Sequence, residues 1–158
     1  MNFVGIDPGQ SGGIACISEA GEVWAFKMGE TERDTWMILC RNTIMDFALI
    51  ESVHSMPKQG VASSFKFGRN YGFLRGCLIA LAIPFDEVTP QKWQKAMGCL
   101  THGDKNVSKA KAQQLFPQIK VNHAIADALL IAEYCRRVYG KKEIPSEMHL
   151  DFVPGRRI

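Results

Sequence analysis

The chain is predicted to be an α/β domain, with a mixed central sheet of three antiparallel strands followed by parallel strands and helices on its flanks. Three observations predict this. Three short apolar runs with tight turns between them fill residues 2–27. From residue 31 onward, stretches of helical periodicity alternate with short apolar runs. The length of 158 residues, 46% of them hydrophobic, suits one domain with its own core.

The elements follow in order. Residues 2–6 are apolar and extended until Asp7-Pro8-Gly9 breaks the run, and GGIACIS at 12–18 reads as the second strand. A turn at 19–22 leads to a third strand, VWAFK, at 23–27. Residues 31–45 place apolar side chains at helical spacing behind a Thr cap, with acids in the first turn. The run FALI at 47–50 ends in Glu51 and reads as a central strand. Residues 57–68 are polar and glycine-bearing and read as a loop before a Gly/Ala-rich helix at 69–82, a candidate dimer contact. A short strand is expected at 85–88, then a helix opening with Thr89 as cap and Pro90 at its first position. A loop at 98–106, a helix at 107–116 and a strongly apolar helix at 123–138 complete the domain at about residue 140, leaving a polar tail over 141–158.

A net charge of +3 is compatible with nucleic acid but does not by itself indicate it. The five cysteines are odd in number and lack zinc-ligand spacing, so free thiols in a reducing compartment are the simpler reading. No secretory leader opens the sequence, and the longest apolar run, 77–85, is too short to span a bilayer. A soluble, cytoplasmic protein is the expectation.

Most acids lie in polar stretches and read as solvated surface. Three interrupt apolar sequence instead: Asp7 at the end of the first strand, Glu51 after FALI, and Asp127 within AIADALLIA. By itself, Asp7 beside its glycines could be a metal ligand or a phosphate-loop residue. Burying a carboxylate costs several kcal/mol or more unless it is paired or metal-bound. Three such acids with no base beside them in sequence favour a shared hard cation such as Mg²⁺. A pair of such ions is the usual clamp for displacement at phosphorus. His123, four residues before Asp127, shares its helical face and is a candidate fourth member, as a metal ligand or as a group that positions the attacking water. His54, His102 and His149 read as surface or tail residues.

Four stretches together resemble the RuvC family of Holliday-junction resolvases, particularly its compact phage members. They are GIDPG with Asp7, ALIESVHSM with Glu51, VTPQKWQKAMGCLTHGDKNVSKAKAQQLFP, and HAIADALLIAEY with Asp127. They run in the family's order from residue 3 to about 138. The resemblance implies an RNase H-like fold. It also implies a homodimer and a Mg²⁺- or Mn²⁺-dependent endonuclease that nicks opposed strands of four-way DNA symmetrically, with Asp7, Glu51 and Asp127 as metal ligands. Many cellular members carry a second acid three residues before the last; that position is Ala124 here, so the fourth place stays open for His123.

Lys105 matches the family's D-K pair and is the first candidate phosphate contact. Lys92, Lys95 and Lys109 lie on the neighbouring helices, and Lys58, Lys66 and Arg69 flank the loop at 57–68. Singly each reads as solvated surface; as clusters they suggest a rim facing DNA. Phe65 and Phe67 could stack on opened bases, although core packing or dimer contact is the favoured reading. Trp93 reads as core. Two rivals are an actin-like ATPase, for which 158 residues and one glycine turn are too few, and a non-catalytic junction-binding protein, against which the three retained acids argue.

Overall fold

A computed structural model describes residues 1–41, 45–52, 60–100 and 103–140. The expected tail, Lys58, His54, His102 and part of the expected helix and loop segments lie outside these residues.

The first three strands, β1 (Asn2–Asp7), β2 (Gly13–Ser18) and β3 (Val23–Lys27), form the expected antiparallel meander. Then come α1 (Glu32–Arg41), β4 (Phe47–Glu51), α2 (Val61–Ala80), β5 (Phe85–Val88), α3 (Pro90–Met97), α4 (Lys105–Leu115) and α5 (His123–Tyr139). The sheet order is β3-β2-β1-β4-β5, with β4 parallel to both β1 and β5.

Strand alternation divides the core in two. Phe3, Ala15, Ile17, Phe47 and Leu49 face a layer made by α3, α4 and α5. Val4, Ile6, Ile14, Cys16, Ala48 and Ile50 face the opposite layer, with Leu39 of α1 and Leu74, Cys77 and Leu78 of α2. Helix α5 lies against the middle of the sheet, and its apolar sequence is buried from Ile125 to Cys135 except at Asp127. Its first turn is tied by Asn122, whose side chain accepts from the N–H groups of Ala124 and Ile125 at 2.9 and 3.2 Å.

Gly5 sets how closely α5 approaches the sheet. A Cβ there would sit 2.2 Å from the Ala132 nitrogen and 2.3 Å from the Ala128 oxygen, so only glycine lets the helix backbone rest on β1.

Several boundaries differ from the sequence expectation. Helix α2 begins at Val61, so the segment read as a loop up to residue 68 is helical from 61 onward. Helix α4 begins at Lys105 because Asp104 caps it, accepting from the Asn106 N–H at 2.9 Å. Thr31 caps α1 as expected, in a reciprocal box with Asp34. Thr89 occupies the N-cap of α3 without a side-chain cap bond, and Pro90 alone marks that start.

Candidate metal centre

Asp7 and Glu51 are brought together by parity and register. Asp7 follows Phe3 and Gly5 on the α5 side of β1, and Glu51 follows Phe47 and Leu49 on the same side of β4. Ile6 pairs with Ile50, so the two acids end adjacent parallel strands, the edge at which open α/β sheets hold their ligands. Asp127 approaches from the helix layer, where its charge is felt by both Asp7 and Glu51. Helix α5 runs back along β1, with Ala132 and Ala128 over Gly5 and Ala124 against Gly13, the residue opposite Asp7. Asp127 therefore lies one turn inside the end of α5 that covers Asp7.

The electrostatics agree with this placement. Burial pushes the Asp7 carboxyl above its usual range and Asp127 adds to the push, while the Gly9 N–H bond and nearby Lys105 oppose it. Glu51 is pushed from 4.5 to about 7 by burial and by the charges of Asp7 and Asp127, against a hydrogen bond from Trp93. Asp127 is raised by burial, with Ser108, Lys105 and His123 opposing. Three carboxylates thus sense one another in a partly dry place.

A fourth buried acid shows what a purely structural carboxylate looks like here. Glu133 is only 6% exposed, yet Arg136 and Arg137 hold it at 2.8 and 2.7 Å. Burial would raise its pKa, but the two guanidinium groups outweigh burial and lower it. Among the described residues, none of the three site acids has a cation within ion-pair distance.

Each acid is supported differently. Asp7 Oδ1 accepts from the Gly9 N–H at 3.0 Å. Glu51 Oε1 accepts from the buried Trp93 indole N–H at 2.8 Å. The Ser108 hydroxyl lies near enough to Asp127 to favour its charge, but misses hydrogen-bond geometry. Both Ser108 Oγ and Asp127 Oδ1 are buried without a partner.

The glycine turn after Asp7 serves the acid. The Gly9 N–H is spent on Asp7, and the Gly12 N–H on the Gly9 carbonyl at 2.9 Å, so neither is left to cradle a phosphate. A Cβ on Gly12 would lie 2.3 Å from the Asp7 carbonyl oxygen and 2.6 Å from its Cγ. Glycine is needed there so that the Asp7 side chain can fold over the turn.

Among the described residues, no group of three or more His, Cys, Asp or Glu side chains is placed to hold a metal ion as it stands. The donors nevertheless fit an ion such as Mg²⁺, which prefers oxygen, keeps several waters and takes substrate phosphate into its shell. The unpartnered Asp127 oxygen and the crowding of like charges are the features such an ion would relieve.

The other expected residues scatter around this centre. His123 is exposed on the first turn of α5, within electrostatic reach of Asp127. Lys105 is exposed at the start of α4, within electrostatic reach of both Asp7 and Asp127. Lys92 and Lys95 are exposed on α3, and Lys109 is half-buried on α4. On α2, Lys66, Phe67 and Arg69 line a groove of about 830 Å³ that also takes in Gln10 of the Asp7 turn and residues 28–33 and 35. Arg69 is paired there with Glu32 at 3.2 Å. Phe67 stacks on Tyr71, whereas Phe65 is 72% exposed, so the core-packing expectation is corrected for Phe65. Among the described residues, nothing covers it.

Neither a protein-family model nor a curated protein sequence matches the chain. Solved structures do. The chain is similar to Thermus thermophilus RuvC, at 19% identity over 84% of this chain and 91% of that one, with a TM-score of 0.57. It is likewise similar to T. thermophilus RuvC in complex with a Holliday junction substrate, at 18% identity over 84% and 90% of the two chains and a TM-score of 0.56.

The fold is RuvC-like.

That fold includes the mixed five-stranded sheet and its flanking helices, as expected from the order of elements. Among the described residues, no helix is long and apolar enough to cross a membrane. Sequence reading missed Trp93 and Ser108 as neighbours of the acids. A signal for Trp93 existed: a buried indole N–H must find an acceptor, and a helix bearing Trp beside a three-acid site offers one. Ser108 carried no such signal within its polar helix.

Proposed function

We propose that this protein is a structure-selective endonuclease that resolves four-way DNA junctions as a homodimer. The observation that carries the reading is the set Asp7, Glu51 and Asp127: three carboxylates without cationic partners, gathered at the carboxyl ends of adjacent strands in a RuvC-like fold. One neighbour of the same fold is described in complex with a Holliday junction substrate, which supports branched DNA as the ligand class.

In this reading Asp7, Glu51 and Asp127 hold Mg²⁺ or Mn²⁺. When bound, the ions supply a water of lowered pKa and stabilise the leaving 3′-oxygen. Asp7 is central because it ends the middle strand of the sheet, where the Gly9 N–H holds its carboxylate. His123 completes the site as a fourth ligand or as the base that positions the attacking water. Lys105 balances the carboxylates and meets the scissile strand, while Lys92, Lys95, Lys109 and Lys66 supply further phosphate contacts. Arg69 joins them on exchanging Glu32 for phosphate.

Two cuts related by a two-fold axis need two sites related likewise. Helix α2 offers a surface for that pairing. Val61, Phe65 and Ile79 are 88%, 72% and 60% exposed. They recur at helical spacing with Gly72 and Gly76, which leave open space where a Cβ would be.

The test is cleavage of a synthetic four-way junction with Mg²⁺ or Mn²⁺ and with chelator, beside forks, flaps and plain duplex. Metal-dependent, symmetric nicking of the junction is expected. Binding without cleavage under every metal condition would leave a non-catalytic junction-binding protein. Sedimentation of the full chain should show a dimer.

A further inference from the structure

We propose that Trp93 is a positioning residue whose indole N–H locks the Glu51 carboxylate into the orientation in which it ligates the divalent ion. This rests on the reading of Asp7, Glu51 and Asp127 as the metal centre.

Trp93 is fully buried, at 0% exposure, within the core layer formed by α3, α4 and α5. Its ring nitrogen can only donate, so burial obliges it to find an acceptor. The acceptor is Glu51 Oε1 at 2.8 Å, a charge-assisted contact made across 42 positions of sequence. Glutamate has three side-chain torsions, and this one is 8% exposed beside two other carboxylates. Mutual repulsion would swing it away from them in the absence of a tether. The indole bond occupies Oε1 and leaves Oε2 for a cation.

The platform under the donor is firm. Helix α3 starts at Pro90 and stops at Gly98, whose φ of 66° gives a left-handed C-cap. Met97, one turn beyond Trp93, is buried alongside it. The other two acids lack such a side-chain tether among the described residues. Asp7 is held by a backbone N–H, and the Ser108 hydroxyl misses Asp127. Outer-shell hydrogen bonds of this kind typically change metal affinity or activity roughly 10–100-fold when removed.

The experiment compares Mn²⁺ affinity of the full wild-type chain with two variants, by calorimetry or by the electron-spin signal of free Mn²⁺. Trp93→Phe removes the N–H and part of the ring. Trp93→benzothienylalanine keeps the shape of tryptophan, replaces the N–H with sulfur, and so separates the hydrogen bond from packing. Both variants are expected to bind Mn²⁺ about tenfold or more weakly. They should need correspondingly more Mn²⁺ for half-maximal junction cleavage, with the KM for the junction unchanged. Wild-type Mn²⁺ affinity in the benzothienylalanine variant would overturn the proposal, whether or not Trp93→Phe is impaired, because packing alone would then explain Trp93. Failure of the wild-type chain itself to bind Mn²⁺ would overturn the metal centre first, and this proposal with it.

Discussion

Glu51→Gln tests the strain stored at the site. The substitution keeps shape and keeps an acceptor for the Trp93 N–H, while removing the charge. In the folded chain the Glu51 carboxyl is pushed from 4.5 to about 7, first by burial and then by Asp7. Between those pH values the folded state holds a proton that the unfolded state releases, so stability falls as pH rises through the window. At about 1.4 kcal/mol for each pH unit, the ionised side chain costs the metal-free protein about 3 kcal/mol at pH 8. Glutamine escapes that cost, and its amide can donate to the neighbouring acids. In chelator at pH 8, Glu51→Gln should therefore unfold at a Tm higher by on the order of 10 °C, for a chain of this size. At pH 4, where Glu51 is protonated in both states, the difference should vanish. Adding Mn²⁺ should raise the Tm of wild type much more than that of the variant. Thermal unfolding at pH 4, 6 and 8, with and without Mn²⁺, measures all of this. A wild-type chain at least as stable as Glu51→Gln at pH 8 in chelator would refute the reasoning.

Other outcomes follow from the packing. Gly12→Ala places a methyl against the Asp7 backbone and carboxyl; the turn must shift, so junction cleavage should drop at least tenfold while the circular dichroism spectrum stays native. Gly5→Ala forces α5 off β1 and should cost about 3 kcal/mol or more in urea unfolding, given the rigid backbone atoms it meets. Asn122→Ala removes the cap of α5 and should cost about 1 kcal/mol by the same measurement, with cleavage largely retained.

The three acids were legible because each breaks an apolar run, and burying an unpaired charge is too costly to be accidental. The strand order was legible because tight turns force β1, β2 and β3 into a meander. The start of α2 was not. From Val61 to Phe73 the helix fully buries no residue, so no core-facing stripe marks its start, and Ser63, Ser64 and Gly68 read as loop. The start of α4 at Lys105 was not legible either, because it depends on Asp104 capping the helix through the Asn106 N–H. The bond from Trp93 to Glu51 joins positions 42 apart, and no local pattern encodes it.

The most direct measurement is the pair of binding and cleavage assays on one four-way junction, wild type against Asp7→Asn, in Mg²⁺ or Mn²⁺. Asp7→Asn is expected to bind the junction with affinity close to wild type and to leave it uncut, while wild type nicks opposed strands. Cleavage by Asp7→Asn at the wild-type rate would contradict a metal centre built on Asp7.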